Sequence, residues 1–203
     1  IFGFNWDDKE LLKTMSTVLR HRGPDDTAFY TDKNISLGMR RLSIIDLKKG
    51  IYPVKNENES IFVIFNGELF NYNEIKEKLA NKGHKFITSC DAEIIPHAYE
   101  EYGLDFIKSV NGQFAIAMFD KKNNKLILIR DRLGILPLYY YYDAKSNMFA
   151  FASEIKVLLQ IPEYKKAINL EALNEYFTYR FTPGKNTIFR GIKRLAPGHI
   201  LVF

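Results

Sequence analysis

Cysteine is almost missing from this chain, and so are the usual signatures of cofactor chemistry. A single thiol, Cys90, among 203 residues excludes an internal disulfide framework and every multi-cysteine zinc pattern. Such usage fits a reducing compartment, so the expected location is the cytoplasm. No apolar run approaches the roughly 20 residues of a spanning helix. The longest are IFVIF, FAIAMF and LPLYYYY, so no membrane partner is expected. The first residues are aromatic and acidic rather than a charged n-region, and no signal peptide is read there. A Walker A loop, GxGxxG, HExxH, GxSxG and an EF-hand loop are all absent. The four histidines, His21, His84, His97 and His199, are widely spaced and match no metal-ligand pattern, so no metal is expected. The net charge of +5 is not gathered into a stripe: in NEIKEKLANKGHK and FDKKNNKLILIRDR the lysines alternate with acids. A solvated surface accounts for them, and no nucleic-acid partner is expected.

What is present suffices for a substantial core. Hydrophobic residues make up 46% of the chain, and neither an internal repeat nor a low-complexity linker divides it, so residues 1–203 read as a single domain. Asp7 or Asp8 can cap a first helix running to Arg20, with Leu11, Leu12, Met15, Val18 and Leu19 on one face and RHRGPDD ending it. Strand composition follows in TAFYT, ISLGMRRLSII and SIFVIF. Residues 73–81 and 92–102 have helical spacing, the second with Pro96 in its interior. From 113 to 152 hairpins dominate: QFAIAMFD, a KKNNK turn, KLILIRDR, then LPLYYYYD, an AKSN turn and MFAFA. Helical spacing returns at 153–160 and 169–179, and strand and turn close the chain. Helices set between antiparallel meanders define an α+β fold class.

Three local features carry candidate chemistry. FNGELFN, at 65–71, follows the apolar run 61–65 and sets an amide, a bare backbone and a carboxylate at a strand end. Asn66 can donate through its side-chain amide, and Gly67 lets another molecule approach its main chain, so the two could form an oxyanion hole. Local grammar favours a hairpin turn instead, because Asn-Gly between apolar runs is a strong turn signal. Cys90 stands beside Asp91; the neighbouring carboxylate suppresses a thiolate and no histidine is adjacent, so a buried structural cysteine is expected. Asp91 alone reads as a helix N-cap. Of Arg40 and Arg41, neighbours on a strand, one must face inward and be paired, with a structural acid or with a ligand carboxylate.

Taken in order, RHRGPDD, RRLSIID, FNGELFN, SCDAEII, RDRLGILPLYY and FASEIKVLL resemble the class II glutamine amidotransferase domain, and within it the glutaminase domain of the asparagine synthetase branch. The resemblance spans the whole chain. It implies the four-layer αββα sandwich of N-terminal nucleophile hydrolases. It also implies that L-glutamine is the substrate, with Arg41 on its α-carboxylate and Leu42, Ser43, Ile44 and Ile45 lining the pocket through main chain. Asp91 would take the α-ammonium, Asn66 and Gly67 would form the oxyanion hole, and Glu68 would help orient the substrate. His21, Arg22, Gly23 and Pro24 would form a loop packed near the nucleophile.

That family's nucleophile is an N-terminal cysteine, placed by the resemblance two residues ahead of Ile1 with a glycine between; without it the chain is expected to be inactive. No cofactor is implied for this domain. ATP and magnesium would belong to a C-terminal ATP pyrophosphatase-type synthetase domain, whose SGG-type phosphate loop does not occur before Phe203. That domain is the implied protein partner; a homodimer is left open. Two alternatives remain: the glutaminase domain of another class II amidotransferase, and a non-catalytic scaffold as in β-lactam synthetase-like proteins.

Overall fold

A computed structural model describes residues 1–41 and 52–203. Its strands are β1 (Phe2–Phe4), β2 (Asp26–Asp32), β3 (Ile35–Arg41), β4 (Val54–Lys55), β5 (Ile61–Leu69), β6 (Gly112–Asp120), β7 (Lys125–Arg130), β8 (Tyr139–Asp143), β9 (Met148–Ala152), β10 (Ile192–Arg194) and β11 (Ile200–Val202). The α-helices are α1 (Lys9–Val18), α2 (Tyr72–Asn81), α3 (Ile94–Tyr102), α4 (Ile155–Leu158) and α5 (Leu170–Tyr179).

Two antiparallel sheets form, ordered β10-β8-β9-β1-β3-β2 and β11-β7-β6-β5-β4. Side chains on a strand alternate between faces, and here both faces of the central strands are apolar. Along β5, Ile61, Val63 and Phe65 pack under α2 and α3, whereas Phe62 and Ile64 meet Leu37, Met39 and Phe151 of the other sheet. On the far side of that second sheet, Phe2, Phe4, Ala150 and Ala152 pack against Leu12 and Met15 of α1 and Leu158 of α4. Three apolar layers therefore separate four structural ones, in the order helix, sheet, sheet, helix. The α+β class and the αββα sandwich are both observed.

Local chemistry sets the helix ends. Asp8 is the N-cap of α1, its carboxylate accepting from the Leu11 backbone N–H at 2.9 Å, and Asn169 caps α5 through Ala172. After α1 a separate 3₁₀ turn, Arg20–Arg22, runs into Gly23. Residues 91–102 are not one helix: a 3₁₀ turn, Asp91–Glu93, leads into α3, so Pro96 falls in the first α-turn rather than in the interior. A backbone N–H in that turn lacks an intrahelical acceptor anyway, which is why proline is tolerated there.

One further expectation is met and one corrected. The two hairpins read between 113 and 152 both form, β6 with β7 and β8 with β9, and they lie in different sheets. Buried Arg130 and Asp131 shape the crossing between them. The guanidinium donates to the carbonyls of Gly134, Leu136 and Leu195 at 2.6 to 2.7 Å, and the carboxylate accepts from the backbone of Leu133, Ile135 and Leu136 at 3.0 to 3.1 Å. The Asn-Gly pair, however, is not a turn. Strand β5 runs straight through it, pairing Asn66 with Ala115 and Gly67 with Phe114.

Candidate active site

The far end of β5 is held by a backbone approach that only glycine permits. At Gly67, φ is +143°, and a Cβ placed there would lie 2.1 Å from the Gln113 carbonyl oxygen and 2.7 Å from the Phe114 Cα. Both are main-chain atoms that cannot step aside, so glycine lets the ladder continue where Asn-Gly would otherwise turn. The Asn66 Nδ2 is consequently buried at the sheet end and has no hydrogen-bond partner among the described residues. An unmet buried donor costs about 1 to 3 kcal/mol, so a group that accepts from it is strongly favoured. Glu68 is exposed.

Asp91 is tied to the same strand end. Its Oδ2 accepts from the Leu69 backbone N–H at 2.8 Å and its Oδ1 from the Ala92 N–H at 2.9 Å. It is the first residue of the 3₁₀ turn rather than its N-cap, a position held by Cys90. Burial pushes the Asp91 carboxyl above its ordinary value; the backbone donors of Leu69 and Ala92 oppose the rise, and the charge of Glu68 adds to it. A bound cation would relieve that strain by favouring the ionised form.

Arg40 and Arg41 separate as a strand demands. The Arg40 guanidinium turns to β2, donating to the Thr27 hydroxyl and, at 3.4 Å, to the Pro24 carbonyl. The Arg41 guanidinium instead lies over the Tyr52 ring, 5.3 Å from its centroid. The Tyr52 hydroxyl reaches the Cys90 sulfur at 3.3 Å, and that sulfur is 3.7 Å from Asp91 Oδ1. One aromatic ring thus spans from the end of β3 to the Cys90–Asp91 pair. Burial pushes the Cys90 thiol up, against the contact with the Tyr52 hydroxyl, which disfavours the thiolate a nucleophile needs. Leu42, Ser43, Ile44 and Ile45 lie outside the described residues. A cleft of about 870 Å³ opens beside Tyr52, lined by Lys55, Phe62 and Lys121, but Asn66, Gly67 and Asp91 do not line it.

The RHRGP segment is anchored from two sides. A Cβ at Gly23 would lie 2.5 Å from the Arg40 carbonyl carbon and the Arg41 nitrogen, so the loop rests directly on the peptide that precedes Arg41. Glu154, from FASEIKVLL, meets His21 Nε2 at 2.9 Å, accepts from Arg22 Nη1 at 3.2 Å and pairs with Lys156 at 3.1 Å. Two motifs far apart in sequence are thereby one ionic cluster behind the end of β3.

Sequence reasoning missed Tyr52 altogether, since nothing in IYPVK marks it, and missed Glu154 as the partner of the RHR turn. It also took all four histidines as scattered, whereas the rings of His84 and His97 meet with centroids 5.3 Å apart.

The model of the family described as "Glutamine amidotransferase domain" matches residues 1–203. The chain belongs to that family. This amidotransferase domain is 37% identical to asparagine synthetase [glutamine-hydrolyzing] 1 of Bacillus subtilis over 95% of its length, and 41% identical to asparagine synthetase [glutamine-hydrolyzing] 2 of the same organism over 94%. It spans only 30% and 26% of those two relatives. Among solved structures, glutamine phosphoribosylpyrophosphate amidotransferase of B. subtilis superposes with a TM-score of 0.69, covering 99% of this chain and 46% of that one. At 17% identity that likeness speaks for the fold alone.

The Glu154 cluster generates a pH prediction. Burial alone would raise its carboxyl, but donors from His21, Lys156 and Arg22 outweigh it and hold the group at about 2 rather than 4.5. A depressed folded-state value means the stabilisation is complete above about 4.5 and is lost as pH falls towards about 2. Urea unfolding should find Glu154→Gln less stable than the parent at neutral pH. The gap should close across that acid window, and a gap unchanged down to pH about 2 would contradict the assignment.

Proposed function

We propose that this domain hydrolyses L-glutamine to glutamate and ammonia, and that the ammonia amidates aspartate in a glutamine-dependent asparagine synthetase. The observation that carries the reading is the Asn66 amide, buried and without a partner among the described residues at the end of β5. It is what an oxyanion hole needs before substrate arrives: a fixed donor whose only good partner is the oxygen that develops charge.

The clamps for an amino acid are proposed from the resemblance, with which the same geometry is compatible. Arg41, held over Tyr52, would fork onto the α-carboxylate, and Asp91, with Glu68 nearby, would take the α-ammonium. Leu42, Ser43, Ile44 and Ile45 are proposed to complete the pocket. The nucleophile is proposed to be a cysteine two residues ahead of Ile1. Strand β1 pairs antiparallel with β3, Phe2 opposite Gly38, and the same register continued two residues upstream of Ile1 falls opposite Arg41. Its thiolate would attack the side-chain carbonyl carbon of glutamine, and the oxyanion would rest on Asn66 Nδ2 and the Gly67 N–H. Collapse expels ammonia and leaves a γ-glutamyl thioester, which water hydrolyses to glutamate.

A scaffold without activity fits less well, because a buried donor left unmet is a standing cost with no return. The sequence likeness to asparagine synthetases favours that branch over other class II amidotransferases. In this reading the chain works in the cytoplasm beside a synthetase domain that uses ATP and magnesium. The exposed apolar side chains of α5 and its flank, Leu170, Phe177, Tyr179 and Phe181, are assigned to contact with that domain.

Two measurements test the proposal. A chain bearing Cys-Gly ahead of Ile1 should release ammonia from glutamine; binding of glutamine without release would sink the mechanism. By calorimetry, Arg41→Ala should weaken glutamine binding by about 2 to 5 kcal/mol, the cost of stripping one side of a buried charged pair, while Cys90→Ala leaves it unchanged. Equal losses would overturn the pocket.

A further inference from the structure

Away from the glutamine site, the helical layer over β5 holds a second cluster of ligand-type side chains. Glu57 lies in the turn between β4 and β5, His84 follows α2, and His97 and Glu100 stand three residues apart on α3, hence on one face of it. One nitrogen or carboxylate oxygen from each of the four lies within 4.8 Å of all the others. At the centre is His97, whose side chain is 1% exposed and whose two ring nitrogens have no hydrogen bond among the described residues. Glu57 Oε2 approaches its Nδ1 to 3.2 Å but out of line for a hydrogen bond. A buried imidazole keeps one N–H and one lone pair to satisfy in either neutral tautomer, so an orphaned ring is an uncommon expense in a core.

We propose that Glu57, His84, His97 and Glu100 form a binding site for a divalent transition-metal ion of the zinc class. Two imidazoles and two carboxylates are a donor set that zinc accepts in tetrahedral geometry. Ligand atoms about 2.0 to 2.1 Å from such an ion stand roughly 3.3 Å apart, so the widest pairs must close by up to about 1.5 Å. The two ligands that would move are Glu57 and Glu100, both exposed.

Outer contacts already engage the ligands. Glu100 is held by Asn56 Nδ2 at 3.0 Å and Asn58 Nδ2 at 3.1 Å, and Glu57 Oε1 accepts from the Lys85 backbone N–H at 2.8 Å, leaving Oε2 towards His97. His84 presents Nδ1 towards Glu57 at 3.7 Å while its Nε2 faces Glu101 at 3.5 Å. A carboxylate behind a histidine in this way fixes the ring and its tautomer for a metal. The ion would join the β4–β5 turn, the end of α2 and the middle of α3. Its role would be to fasten the helical layer, with no part in glutamine hydrolysis.

The test is titration of the purified protein with Zn²⁺ alone, read by calorimetry and thermal unfolding. One equivalent should bind with micromolar or tighter affinity and raise Tm, because a ligand selective for the folded state stabilises it. His84→Gln and Glu100→Gln, which both spare the buried His97, should each weaken binding by about tenfold or more, whereas Cys90→Ala and His199→Gln leave it unchanged. Absence of both heat and Tm shift would overturn the proposal, as would Zn²⁺ binding of parental strength in both His84→Gln and Glu100→Gln.

Discussion

The backbone contact at Gly67 governs the candidate site. Strand β5 lies so close to Gln113 and Phe114 there that no side chain fits, and the pair continues in register to Leu69 instead of turning at Asn66. Three consequences share that cause. The Asn66 amide is trapped in the sheet with nothing to donate to among the described residues, the Leu69 N–H is delivered to Asp91, and the exposed Glu68 is set beside that carboxylate. A hairpin at the same dipeptide would have scattered all three.

The other half of the site belongs to the other sheet, and the sandwich brings the two halves together. Because β5 and β3 bury apolar residues against each other, the ends carrying Asn66 and Arg41 are fixed by the same core that stabilises the fold. Tyr52 connects the halves, stacked under Arg41 at one side and bonded to Cys90 beside Asp91 at the other. Behind β3, Gly23 and the Glu154 cluster brace the peptide leading to Arg41. Substrate clamps held by packed strands are more precise than clamps carried on loops, which matters where the reacting oxygen must meet its donors to within a few tenths of an ångström.

Much of the architecture was legible because the sandwich is written in short apolar runs, buried on both faces of the central strands, and in strong turn chemistry. Strands such as QFAIAMFD and KLILIR, and caps such as Asp8, declare themselves locally. What local reading got wrong was decided by partners distant in sequence. Asn66-Gly67 has the grammar of a turn, and only the approach of Gln113 makes it a strand. The placing of KLILIRDR and LPLYYYYD in different sheets was likewise not written locally, since the Arg130 and Asp131 network that shapes the crossing joins residues far apart. Arg41 could be told from Arg40 by resemblance but not by pattern, since the difference lies in what each face of β3 meets. Tyr52 and the His84–His97 pair left no local signal, as each gains its meaning from residues more than ten positions away.

The central claim is that Asn66 stabilises charge in the transition state rather than gripping the ground state, and steady-state kinetics of Asn66→Ala in the chain bearing Cys-Gly ahead of Ile1 tests it most directly. The account predicts a fall of about 10² to 10³ in kcat for glutamine hydrolysis, with KM little changed. A raised KM with kcat retained would contradict it, and would recast Asn66 as a substrate-binding residue only.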